Sequence, residues 1–93
     1  MSAYVVVHAT VKNAEKLAEY SAAAGPTVAS FGGEFVSRGP SETLSGKHAH
    51  GVMVVIKFAD RATAKAWYDS PAYQAAIPAR NEGMDSVFIV GGE

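Results

Sequence analysis

A chain of 93 residues can close one hydrophobic core but not two, and at 48% hydrophobic and 18% charged residues it has the balance of a folded domain, not a disordered segment. Its eight basic and nine acidic residues leave a net charge of −1, with the basic ones scattered, so there is no field to gather nucleic acid. Cysteine is absent, which excludes disulfides and thiolate chemistry and leaves packing or association as the source of stability.

Residues 4–11, Tyr-Val-Val-Val-His-Ala-Thr-Val, are rich in β-branched side chains and predict a first strand. Asn13 is placed to cap an amphipathic helix whose apolar stripe runs through Ala14, Leu17, Ala18, Ser21 and Ala24. Gly25-Pro26 is expected to kink that helix or split it in two, and Gly32-Gly33 to stop it after Phe31. A second strand is expected over 34–38. Gly39-Pro40 breaks or bulges it, 42–45 resumes extended, and a turn follows over 46–51.

Residues 52–58, Val-Met-Val-Val-Ile-Lys-Phe, are almost continuously apolar, the pattern of a central strand covered on both faces. Asp60 then caps a helix carrying Ala62, Ala66 and Trp67. Ser70-Pro71 forms the N-cap and first residue of a further segment through Tyr73, Ala76 and Ile77, which Pro78 is expected to close. A last strand over 85–90 completes the order β-α-β-β-α-β. The fold class is therefore α+β, a single ferredoxin-like domain over 1–93 with an antiparallel sheet and helices on one face.

Two helices cover one face of a four-stranded sheet, so the other should read polar at alternate positions in a monomer. It does not: Tyr4, Val6 and His8 oppose Val5, Val7 and Ala9 across the first strand, and Met53 and Val55 oppose Val52, Val54 and Ile56 across the third. Leaving several such side chains in water forgoes about 1.5–3 kcal/mol each, so packing against a second copy is expected, with a covering loop as the alternative.

The chain resembles the family known as domain of unknown function 1330. The likeness is carried by Gly32-Gly33-Glu34-Phe35, Arg38-Gly39, Leu44-Ser45-Gly46, Val55-Ile56-Lys57-Phe58 and, above all, Ala66-Trp67-Tyr68-Asp69-Ser70-Pro71-Ala72-Tyr73. The resemblance implies a dimeric α/β barrel, in which a ferredoxin-like protomer packs its sheet against its mate's. It transfers no catalytic residue. Distant members of that superfamily include cofactor-independent monooxygenases, isomerases, dehydratases and haem-binding enzymes.

Candidate chemistry rests on few side chains. His8, among apolar neighbours, is a candidate general base or acid, and Arg38 and Arg80 are candidate forks for a substrate carboxylate. Trp67, Tyr68 and Tyr73 are candidate walls of an aromatic pocket. For each the competing role is structural: core histidine, surface ion pair, packing aromatic. His48 and His50 resemble half a metal site, but a solvated turn is the expectation, and no metal is expected. No phosphate-cradling loop or nucleophile elbow is present, so no cofactor is expected.

Two readings stand. One is a homodimer binding a small anionic or aromatic molecule between sheet and helices, acting as a cofactor-independent enzyme through His8 with Arg38. The other is a non-catalytic binding or structural module. No run approaches the roughly 20 apolar residues of a membrane span, and Met1-Ser2-Ala3-Tyr4 lacks the order of a secretory signal, so no membrane or nucleic-acid partner and a cytoplasmic location are expected.

Overall fold

The computed structural model describes residues 2–93 and follows the order β1 (Ala3–Val11), α1 (Ala14–Ser30), β2 (Glu34–Pro40), β3 (Val52–Phe58), α2 (Arg61–Asp69), α3 (Pro71–Gln74), α4 (Ile77–Gly83) and β4 (Met84–Gly92). The four strands form one antiparallel sheet in the order β2-β3-β1-β4, so β1 is paired along both edges and β2 and β4 are the outer strands. No helix is long and apolar enough to cross a membrane among the described residues.

Side-chain alternation divides β1 sharply. Ala3, Val5, Val7 and Ala9 are buried under the helices, whereas Tyr4, Val6, His8 and Thr10 face the other way. Pairing carries this division across the sheet. Val5, Val7 and Ala9 stand opposite Ile56, Val54 and Val52 on β3, and opposite Val90, Phe88 and Ser86 on β4. The helices add Trp67, Tyr73 and Val28, which with Phe58 of β3 are the largest fully buried side chains. The open face keeps Val87 and Ile89 at 45% and 51% exposure.

Local chemistry sets the ends of the elements. Asn13 accepts from the N–H groups of Glu15 and Lys16 and so caps α1, and Gly32, with φ at 70°, turns the chain out of it. The expected break at Gly25-Pro26 does not split the helix, because α1 runs through Pro26. A residue before proline is driven from helical geometry by a clash at its Cβ, and Gly25 has none. Ser70 caps α3 with Pro71 in its first turn, as the sequence predicts.

Three boundaries differ from expectation. Pro78 does not close the second helical region but opens α4, since a proline needs no N–H partner in a first turn. Residues 42–45 do not resume a strand. Pro40 ends the ladder opposite Val52, and the excursion is tied at its base by the Ser41 N–H donating to the Gly51 carbonyl at 2.9 Å. β4 is longer than 85–90, pairing with β1 from Val11↔Met84 to Ala3↔Gly92.

Gly83 locks the start of α1 to the end of α4. Its carbonyl accepts the N–H groups of Lys12 and Asn13 at 2.8 and 3.1 Å, and a Cβ there would lie 2.7 Å from the Leu17 backbone nitrogen. Backbone cannot yield as a flexible side chain does. Gly83→Ala is therefore expected to cost about 1–3 kcal/mol, read as a lowered urea midpoint at unchanged slope. An unchanged midpoint would show that the two helices are not held at this spacing.

Candidate functional site

Where α1 crosses the sheet the residues are small: Ala9 on β1, and Ser21, Ala24 and Gly25 on the helix. They leave a cavity of about 180 Å³ between sheet and helices, walled by Val7, Val54, Ile56, Trp67 and Phe88 and entered past Phe35 and Arg38. A dry apolar cavity of roughly 150 Å³ is enough to take benzene, so this one suits a one-ring molecule with substituents. A second, more open cleft of about 300 Å³ lies between α2 and β4 and shares Phe88. The first, more enclosed and with few polar groups in its apolar wall, has the character of a binding site.

The rim depends on an irregularity in β2. Phe35 pairs with Ile56 and Arg38 with Val54, and a register shift between Phe35 and Ser37 inserts one extra residue. In a regular strand, residues three apart point to opposite faces; the bulge brings both onto the helix face. The Arg38 guanidinium lies 4.7 Å from the centroid of the Phe35 ring. The ion pairs among the described residues are Lys12–Asp85, Lys16–Glu19 and Lys16–Glu82, so neither Arg38 nor Arg80 has a carboxylate partner there.

Arg80, from α4, is held instead by phenols. One of its terminal nitrogens donates to the hydroxyls of Tyr68 and Tyr73, each at 3.0 Å, and its guanidinium lies 4.7 Å from the Phe88 ring centroid. Tyr73 is also 2.9 Å, oxygen to oxygen, from Tyr20, which lines the cavity. The Arg80 Nε is buried without a partner. Burial alone would push this guanidinium down, but the hydrogen bonds it donates to Tyr68 and Tyr73 outweigh it and hold its pKa above the ordinary value. Trp67 packs against the Tyr73 ring and donates from Nε1 to Thr27 Oγ1 at 3.0 Å, so its polar edge is satisfied in the core.

The structure thus clusters Trp67, Tyr68, Tyr73 and Arg80, but of the expected site residues only Trp67 and Arg38 line the cavity; Tyr68 lines the second cleft, and Tyr73 and Arg80 line neither. It separates His8 from them. His8 is on the open face and Arg38 on the helix face, so the expected partnership of the two in one pocket is corrected: they lie on opposite sides of the sheet. The His8 ring meets His48 edge-on at 4.4 Å between centroids, and its Nδ1 is buried without a partner. His50 bonds through Nδ1 to the Thr10 hydroxyl at 2.8 Å. The segment expected to be a solvated turn therefore lays two imidazoles against β1, and all three histidines of the chain meet there. No group of three or more His, Cys, Asp or Glu able to hold a metal ion occurs among the described residues.

Tyr20 and Phe88 were not among the residues that sequence reasoning selects for the site. The signal for Tyr20 was present, because it stands three residues after Leu17 and four before Ala24, on the cavity side of α1.

The family model for domain of unknown function DUF1330 matches residues 2–92. The chain belongs to this family. No curated protein matches. Among solved structures, a protein of unknown function from Rhodopseudomonas palustris is similar at a TM-score of 0.80 and 19% identity, over 99% of this chain and 82% of that one. A dimeric ferredoxin-like protein of unknown function from Jannaschia sp. CCS1 aligns over 100% of both chains at a TM-score of 0.75 and 16% identity. SnoaB, a cofactor-independent oxygenase from Streptomyces nogalater, aligns over 99% of this chain and 92% of its own at 0.63 and 16%. These likenesses establish the ferredoxin-like fold.

The phenol cluster has a pH signature. Burial, followed by the neighbouring Tyr73, pushes the Tyr20 pKa far up, and burial also raises that of Tyr73 above the ordinary 10.0. An acid whose folded pKa is raised stabilises the fold fully below its unfolded pKa, and that stability is lost as pH rises above it. In an ultraviolet alkaline titration Tyr20 and Tyr73 are therefore expected to ionise only as the protein unfolds, with stability falling above about pH 10. Reversible ionisation of all four tyrosines in the folded state would contradict this.

Proposed function

We propose that this protein is a homodimer whose cavity between sheet and helices binds a compact, largely aromatic carboxylic acid. The observation that carries the reading is Arg38, a permanent cation with no acidic partner among the described residues, poised at the rim of a partly open, largely apolar cavity. An apolar body fits the walls, and a carboxylate at the entrance supplies the counter-charge in the bidentate geometry that guanidinium prefers. Phe35 beneath the guanidinium restricts its motion and extends the aromatic wall outwards.

A catalytic reading has one support, the fold shared with SnoaB, a cofactor-independent oxygenase. It brings no residue roles with it, and His8, on the opposite face, has no access to a molecule in this cavity. Binding is the function these residues support best. The purely structural alternative predicts a filled core, and the space under α1 argues against it.

Two experiments test the proposal. Calorimetric titration with para-isopropylbenzoate and its uncharged amide is expected to favour the acid, with Trp67, the single tryptophan, reporting occupancy by a change in emission. Arg38→Met should weaken the acid about tenfold and abolish its advantage over the amide. Equal binding of acid and amide by the unmodified protein would overturn the role of Arg38, and no binding of either would overturn the cavity as a site for such acids.

The dimer is argued from the open face, where Val87 and Ile89 are about half exposed and Val6, Met53 and Val55 partly so, each therefore forgoing a fraction of the about 1.5–3 kcal/mol that full burial contributes, and from the dimeric description of the Jannaschia protein. Native mass spectrometry should show a dimer for the unmodified chain and a folded monomer for Ile89→Asp, which sets two charges into a two-fold interface. A monomer at the start, or an undisturbed dimer in the variant, would contradict that surface.

A further inference from the structure

The hydrogen bonds around Arg80 have a direction. A guanidinium can only donate, so the hydroxyl oxygens of Tyr68 and Tyr73 both accept from it. The hydroxyl hydrogen of Tyr73 then needs an acceptor. Tyr73 is fully buried and does not line the cavity, and the Tyr20 oxygen at 2.9 Å is the other partner its hydroxyl has among the described residues. The opposite orientation would leave the Tyr73 hydrogen in the core with nothing to bond. Donation therefore runs from Arg80 to Tyr73 to Tyr20, which leaves the Tyr20 hydrogen with no acceptor among the described residues, on a side chain that is itself one of those lining the cavity.

We infer that Tyr20 is a second polar anchor of the cavity, a polarised hydroxyl donor that selects a ligand bearing a carbonyl oxygen in addition to its carboxylate. Each bond in such a chain strengthens the next, so a donor backed by Tyr73 and a cation is stronger than an isolated phenol. The hydrogen that Tyr20 offers calls for an acceptor oxygen on the ligand, and a carbonyl meets that need without bringing a further hydrogen of its own into an apolar wall. Burial raises the Tyr20 pKa, which keeps the donor protonated at ordinary pH. Tyr73 and Arg80 are positioning residues, and the ligand class is an aromatic oxo acid.

This inference rests on the reading of the cavity as a carboxylate-binding site, and the test separates the two. Two probes of matched shape, para-acetylbenzoate and para-isopropylbenzoate, share the carboxylate, but the first alone has a carbonyl. Calorimetry is expected to show that Tyr20→Phe weakens para-acetylbenzoate about tenfold and leaves para-isopropylbenzoate within about twofold, whereas Arg38→Met weakens both alike. The ketone stretch of bound para-acetylbenzoate should lie at lower frequency in the unmodified protein than in Tyr20→Phe, with Tyr73→Phe between them. A merely structural role for Tyr73 would not produce that order.

Binding of both probes with no selective loss in Tyr20→Phe would overturn the Tyr20 anchor and leave the carboxylate site standing. Binding of neither probe by the unmodified protein would overturn both. Loss of both probes in Tyr20→Phe, with the melting temperature unchanged, would place the carboxylate at Tyr20 and likewise overturn the assignment.

Discussion

The alternation of side chains along β1 is the constraint on which the rest of this structure depends. Because β1 is central and paired on both edges, its two faces are fixed together, and a slip of one residue would exchange them. The face bearing Val5, Val7 and Ala9 accepts the helices, and on the other face His48 and His50 cover the His8–Thr10 end while Val87 and Ile89 stay exposed. A small domain thereby acquires two apolar surfaces with different fates, one enclosing a cavity and the other exposed. Small residues at Ala9, Ser21, Ala24 and Gly25 give up packing under α1, and the space they leave is the one feature that a purely structural domain would have filled.

The polar chemistry of the cavity is arranged around charge without counter-charge. Arg80 is partly buried, stacked on Phe88, and satisfied by neutral phenols rather than by a carboxylate. Replacing a carboxylate with phenols preserves the cation's positive potential instead of cancelling it, and directs it through Tyr73 towards Tyr20. Arg38 at the rim is likewise free of an acidic partner among the described residues. Two cations, one at the entrance and one acting through hydroxyls, make a field suited to a small acid inside walls that are otherwise apolar.

Much of this was legible in the sequence, and the parts that were not have physical causes. The apolar parity of β1 and β3 led directly to an apolar second sheet face, and the Ser70-Pro71 pair to the start of α3. The same apolarity hid the face of His8, because when both parities are apolar neither marks the inside. Arg38 could not be placed by counting, since the bulge after Phe35 resets the parity of β2. Pro26 and Pro78 misled in the same way. A missing Cβ at Gly25 admits the first within a helix, and the second serves as a helix start. The meeting of His8 with His48 and His50 came from a long irregular segment folding back onto β1, which no local pattern announces.

The division of labour between the two sheet faces is tested most directly by methyl-resolved nuclear magnetic resonance of the unmodified protein during titration with para-acetylbenzoate. The account predicts that the methyl groups of Val7, Val54 and Ile56 shift in a saturable manner, while those of Val6, Val55, Val87 and Ile89 stay still. Shifts confined to the second set would place the ligand on the open face beside His8 and contradict the assignment of that face to a second copy of the chain.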